Sequence, residues 1–133
     1  QNLEKEKGIL GKLTAARDEL EEIKEGQENR IANIQMEIKR RQDEGTTVFI
    51  LKGCFSVLEG VRLQLEDTKR ELSQAQARVE KQRHIVTEAS KEVKKLEKLK
   101  ENQLEEYHHD EAKEQQDIIT EHVAGTFVRN GVS

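Results

Sequence analysis

The chain has 133 residues, of which 38% are charged, 3% aromatic and none proline or tryptophan, with a net charge of −4 spread over 23 basic and 27 acidic side chains. So little apolar bulk argues against a globular catalytic domain, and basic and acidic residues intermixed along the chain argue against a nucleic-acid footprint, which needs clustered cations. Nor is there an apolar run near the ~20 residues that span a bilayer or a signal-peptide pattern.

Residues 1–43 read as one helix. An apolar stripe runs through Leu3, Ile9 or Leu10, Leu13, Ala16, Leu20, Ile23, Gln27, Ile31, Ile34 and Ile38, in steps of three or four after the first, the spacing that lines one helical face. Two steps of four, through Ile23, Gln27 and Ile31, predict a stutter that locally unwinds a supercoil. Gly8, Gly11 and Gly26 each cost about 1 kcal/mol in a helix interior, so the first turns are expected to fray.

A break falls at residues 44–47. Gly45 suits the left-handed position that ends a helix, and Thr46 or Thr47 suits the N-cap of the next. The apolar run from Val48 to Leu58 holds Phe49 and Phe55. It is expected to close the end of a hairpin, with an exposed partner site at the tip as the alternative.

From Leu58 the heptads are unbroken. One row is Leu58, Leu65, Leu72, Val79, Val86, Val93, Lys100 and Tyr107. The other is Val61, Thr68, Ala75, Gln82, Ala89, Leu96 and Gln103. A repeat of 3.5 residues is a coiled-coil seam. The second helix is expected over about 48–122, with 123–133 a flexible tail.

Two striped helices joined by a short turn predict an all-α fold: a long antiparallel two-helix coiled-coil hairpin over 1–122, its second helix longer than its first. Paired residues should have numbers adding to about 91, which sets Ile34 near Leu58, Leu20 near Leu72 and Leu13 near Val79, apolar against apolar each time. The first helix then runs out opposite about residue 90. Leu96, Leu99, Leu104, Tyr107, Ile118 and Ile119 are left without a partner, to be covered by residues preceding Gln1, by another protein, or by both.

Signs of chemistry are weak. His108, His109, Asp110, Glu111 and His122 are metal-ligand types, yet His108 and His109 meet Ala112 and Lys113 four residues on, so no tetrahedral zinc set forms on one face. Cys54 is a lone cysteine among apolar neighbours and excludes an internal disulfide. The glycines match no phosphate-binding loop. No cofactor, metal or catalytic residue is expected.

Residues 96–130 add a specific signal. Leu96-Glu97-Lys98-Leu99-Lys100, then Tyr107, Asp110-Glu111, Glu114-Gln115-Gln116, and Phe127 with Arg129 resemble the C-terminal signature of the bacterial flagellar export protein family FliJ. Val128 between Phe127 and the arginine, and the His108-His109 pair, depart from it. The resemblance implies a non-enzymatic stalk and adaptor of the flagellar type III export apparatus, cytoplasmic and held at the inner membrane through partners. Its helix ends would enter the hexameric export ATPase, and its body would reach the cytoplasmic domain of the export gate protein and handle export chaperones. The ATPase end would carry Leu96, Leu99, Leu104, Tyr107, Ile118 and Ile119. Geometry alone suggests Ile31, Gln35, Phe55 and Arg62 for the gate contact. A virulence-type secretion stalk and a generic structural coiled coil are the alternatives, the latter predicting a parallel dimer.

Overall fold

A computed structural model describes residues 2–132, and the side chains of residues 2–126. It contains two helices, α1 (Asn2–Glu44) and α2 (Val48–Val132). The chain falls into two units, Gln1–Ala89 and Ser90–Ser133. The first is the antiparallel hairpin, with all of α1 and the beginning of α2; the second is the remainder of α2. Phe127 and Arg129 lie outside the described side chains. α2 continues to Val132, past the end expected near 122.

The turn forms as its residue types dictate. Gly45 has φ of 88° and is the only positive-φ residue among those described, which a glycine adopts without the Cβ penalty. Thr47 caps α2: the backbone N–H of Ile50 donates to its Oγ1 at 3.2 Å, and the N–H of Leu51 donates to its carbonyl at 3.1 Å. One side-chain oxygen thus serves a helix-start N–H that has no intrahelical partner. Just before the turn, Arg40 grips Glu37 through two hydrogen bonds of 3.0 and 2.5 Å and reaches Glu44 at 2.7 Å, while Arg41 donates to Glu37 at 2.9 Å.

The Arg40 hydrogen bond is the main reason the Glu37 carboxyl is held down at about 2. Desolvation opposes it, and the Arg41 bond and both guanidinium charges add to the lowering. A carboxyl whose folded value is depressed stabilises the fold above its ordinary value near 4.5, and that contribution is lost as pH falls from there through about 2. A carbon-detected NMR titration is expected to place the Glu37 midpoint well below the ordinary carboxyl value near 4.5. A midpoint at that ordinary value would mean that solvent breaks the arginine clamp.

The core of the hairpin is one seam. On α2, Leu58, Val61, Leu65, Thr68, Leu72, Ala75, Val79 and Gln82 are all buried, Val79 to 1% exposure, and the pattern extends half-buried from Leu51 and Cys54 to Val86 and Ala89. These are the a and d positions of the predicted heptads. On α1 the inward positions are Leu3, Glu6, Leu10, Leu13, Arg17, Leu20, Lys24, Gln27, Ile31, Ile34, Ile38 and Arg41. This too is an unbroken heptad series.

The predicted stutter is therefore absent. The seam passes through Arg17 and Lys24, while their apolar neighbours Ala16 and Ile23 are exposed, Ile23 to 44%. The reason is mutual phasing. Two helices coiled around each other must share one period, and α2 offers no stutter for α1 to match. Arg17 and Lys24 can occupy the seam because their long aliphatic stems cover apolar surface while the charged heads reach water. Arg17 sends its guanidinium out to Asp18 at 3.0 Å.

Counted outwards from the turn, the two series fall level as Ile38 with Cys54, Ile34 with Leu58, Ile31 with Val61, Leu20 with Leu72 and Leu13 with Val79. By the same count Arg17 and Lys24 fall level with the small Ala75 and Thr68. Antiparallel order is fixed by Gln76 to Glu21 at 3.5 Å and by Gln82, whose Nε2 donates to the Glu6 carbonyl at 3.0 Å and its carboxylate at 3.1 Å. Thr68 satisfies its hydroxyl on the Gln64 carbonyl at 3.0 Å.

Gln27 is the exception. Its Oε1 is buried without a hydrogen-bond partner, level with Leu65. A buried acceptor left unpaired costs about 1–3 kcal/mol, so Gln27→Leu is expected to stabilise the hairpin by about 1–2 kcal/mol in urea or thermal melts. A lower midpoint would mean that a water serves this oxygen.

Phe49 and Phe55 do not plug the end of the hairpin. Phe49 is 86% exposed, and Phe55, Val48, Ile50 and Val57 are also exposed. A two-helix unit has no third element to fold over its tip, so this apolar run stays at the surface.

Candidate protein-docking surfaces

The second unit is a helix whose described side chains are almost all exposed. Leu96, Leu99, Leu104, Tyr107, Ile118 and Ile119 are each more than half exposed, Tyr107 to 63%. Leu96, Tyr107 and Ile118 recur every eleven residues, close to three whole turns at 3.6 residues per turn, so they share one line. Leu99 and Leu104 lie on either side of that line and broaden it. Ile119 is turned about 100° from Ile118 and falls off it. The Tyr107 ring meets the His108 ring edge-on with centroids 5.8 Å apart. Large apolar side chains repeating along one face and open to water are what a protein partner covers.

The residues suggested for a gate contact divide differently. Gln35, Phe55 and Arg62 are exposed and all occupy e positions, one flank of the hairpin seam. Ile31 belongs to the seam itself and is half-buried, so its first role is to hold α1 on α2. The opposite flank holds a pocket of about 400 Å³ lined by Ile34, Glu37, Arg41, Ile50, Gly53, Cys54 and Val57. The sequence alone does not reveal it, because an apolar run at a hairpin tip reads as a cap and gives no sign of the side on which Ile50 and Val57 stand.

Among the described residues, no group of three or more His, Cys, Asp or Glu side chains is placed to hold a metal ion. Cys54 is half-buried at a d position. No described helix is long and apolar enough to cross a membrane.

Comparison with known families matches residues 1–131 to the model of the flagellar FliJ protein. No curated protein and no solved structure matches the chain. The family match spans nearly the whole chain, far beyond the C-terminal run that carries the resemblance in the sequence, and it falls on a two-helix hairpin with a longer second helix. The chain belongs to the FliJ family, whose members are non-catalytic components of the flagellar export apparatus.

Proposed function

We propose that this protein is the stalk and adaptor of the flagellar export ATPase, working in the cytoplasm at the inner face of the membrane through its partners. In this reading the second unit enters the pore of the hexameric ATPase, promotes ring assembly and stimulates hydrolysis. The e flank near the turn, with Gln35, Phe55 and Arg62, meets the cytoplasmic domain of the export gate protein. Export chaperones are a third class of partner.

The observation that carries the reading is the apolar line of Leu96, Leu104, Tyr107 and Ile118, exposed on a helix with no partner in its own unit. Helices owe most of their stability in proteins to packing of an apolar face, so a long helix with such a face uncovered gains from a socket. The charged residues between, from Lys98 to Glu106, suit a polar rim around an apolar centre.

The test is light scattering coupled to size-exclusion chromatography, with the purified ATPase and nucleotide. The stalk reading expects this chain alone to be a monomer of about 15 kDa, to drive the ATPase to hexamers and to raise its turnover. A stable parallel dimer indifferent to the ATPase would overturn it in favour of a generic coiled coil.

A further inference from the structure

The two flanks of the hairpin seam are chemically unlike. In an antiparallel pair the e positions of the two helices face each other on one side and the g positions on the other. The e side is seen in the Gln76–Glu21 hydrogen bond. The g side is seen in the pocket that joins Glu37 of α1 to Ile50 and Val57 of α2. On the e side every position from Lys7 to Gln42 of α1 and from Arg62 to Arg83 of α2 is polar, and Val48 and Phe55 beside the turn are its large apolar residues. On the g side stand Ile9, Ala16 and Ile23 of α1 with Ile50, Val57 and Ile85 of α2. All six of these apolar residues are exposed. Among these the g side also carries Arg30, Glu37, Gln64, Glu71 and Arg78.

This apolar flank is in phase with the core. Ile9, Ala16 and Ile23 are seven apart, as are Ile50 and Val57, so what covers them must keep the same 3.5-residue period. Towards the turn the edges of the groove are small, with Gly26 on α1 and Gly53 and Gly60 on α2. A Cβ built on any of the three would meet nothing within 4 Å. Small edge residues let a third backbone approach closely, and the pocket beside Gly53 has room for one of its side chains. At the other end, Ile9 and Ile85 are rimmed by Lys5, Lys12, Arg78 and Lys81, with Glu88 the one acidic residue at an equivalent position. Among the described residues, none of these four cations takes part in an ion pair or hydrogen bond.

We propose that this g-side groove, from Ile9 and Ile85 to Ile50 and Val57, docks a third amphipathic helix supplied by another protein. That helix has an apolar heptad row and acidic flanks where it meets the Lys5–Lys12–Arg78–Lys81 rim. The groove lies within the first unit and shares no residue with the ATPase or gate surfaces. It gives the hairpin a separate side on which to hold a helical partner.

The probe is a synthetic helix of about four heptads with leucine at a and d and glutamate at e and g, the glutamates preventing it from pairing with itself. It is fluorescently labelled and titrated with the whole chain at low salt. Saturable binding is expected, weakened at least about tenfold when the peptide's flanks are lysine or when the protein carries Lys5→Glu with Lys12→Glu. Ile23→Glu is expected to abolish it with the thermal midpoint little changed, since Ile23 is already 44% exposed, while Lys69→Glu on the other flank leaves it intact.

Equal binding of the lysine peptide, or wild-type binding by Ile23→Glu, overturns the proposal. Loss of binding in Leu104→Glu instead would put the peptide on the second unit and also overturns it. Sedimentation of the chain alone supplies the last arm: self-association abolished by Ile23→Glu would give the groove to a second copy.

Discussion

Val79→Asp is expected to unfold the hairpin. Val79 is the most buried side chain described, in the outer half of the seam and level with Leu13. A carboxylate there either stays charged in an apolar layer or takes up a proton to avoid it. Either outcome costs about 4 kcal/mol or more, on the order of the whole stability of a small two-helix unit. Circular dichroism should report loss of cooperative melting for Val79→Asp, whereas Val79→Ala should remain folded with a lower midpoint. A folded, cooperative Val79→Asp would mean that the helices slide to expose position 79, and that Leu13 and Val79 do not share a layer.

The second large effect falls on the exposed line of the second unit. Leu104→Glu combined with Tyr107→Glu is expected to weaken binding to the export ATPase about 100-fold or more, the size expected when central apolar contacts of an interface are replaced by charge. The hairpin melt should not move, because neither side chain belongs to the first unit's core. That split between affinity and stability separates docking from folding. Isothermal titration against the ATPase, beside the melt, measures both. Unchanged affinity removes this segment from the ring contact.

Much of this fold is written plainly in the chain, and the exceptions have physical causes. The α2 seam is legible because its row from Leu58 to Val93 is apolar at every seventh position. The turn is legible because Gly45 and Thr47 are the residue types their conformations require. The α1 seam is misread by one position between Ala16 and Ile23, because a search for apolar residues prefers Ala16 and Ile23 to Arg17 and Lys24. Only the demand that both helices keep one period brings the arginine and lysine inward. The same misreading hides the g-side groove: with Ile9, Ala16 and Ile23 assigned to the core, no apolar flank remains to notice. Phe49 and Phe55 mislead for another reason. An apolar run at a hairpin tip says nothing about which side has something to pack against. The uncovered line on α2 follows from the unequal helix lengths, whereas the export role rests on the family match and on no spacing of residues.

The layers of the seam are not equal in strength, and this bears on how the hairpin opens. Near the turn they are Ile38, Ile34 and Ile31 against Cys54, Leu58 and Val61. Farther out, the layers of Lys24 with Thr68 and Arg17 with Ala75 alternate with the apolar layers of Leu20 with Leu72 and Leu13 with Val79, and the end is polar again where Gln82 holds Glu6. The layers near the turn also have the shortest intervening chain, so closing them costs the least loop entropy. Amide exchange should be slowest around Ile34 and Leu58, should stay slow at the Leu20–Leu72 and Leu13–Val79 layers, and should be fastest at Glu6 and Gln82. The hairpin would then close like a zip from Gly45, and a pull separating Glu6 from Gln82 would open the polar end first and meet resistance at Leu13 and Val79 before it loads the isoleucines.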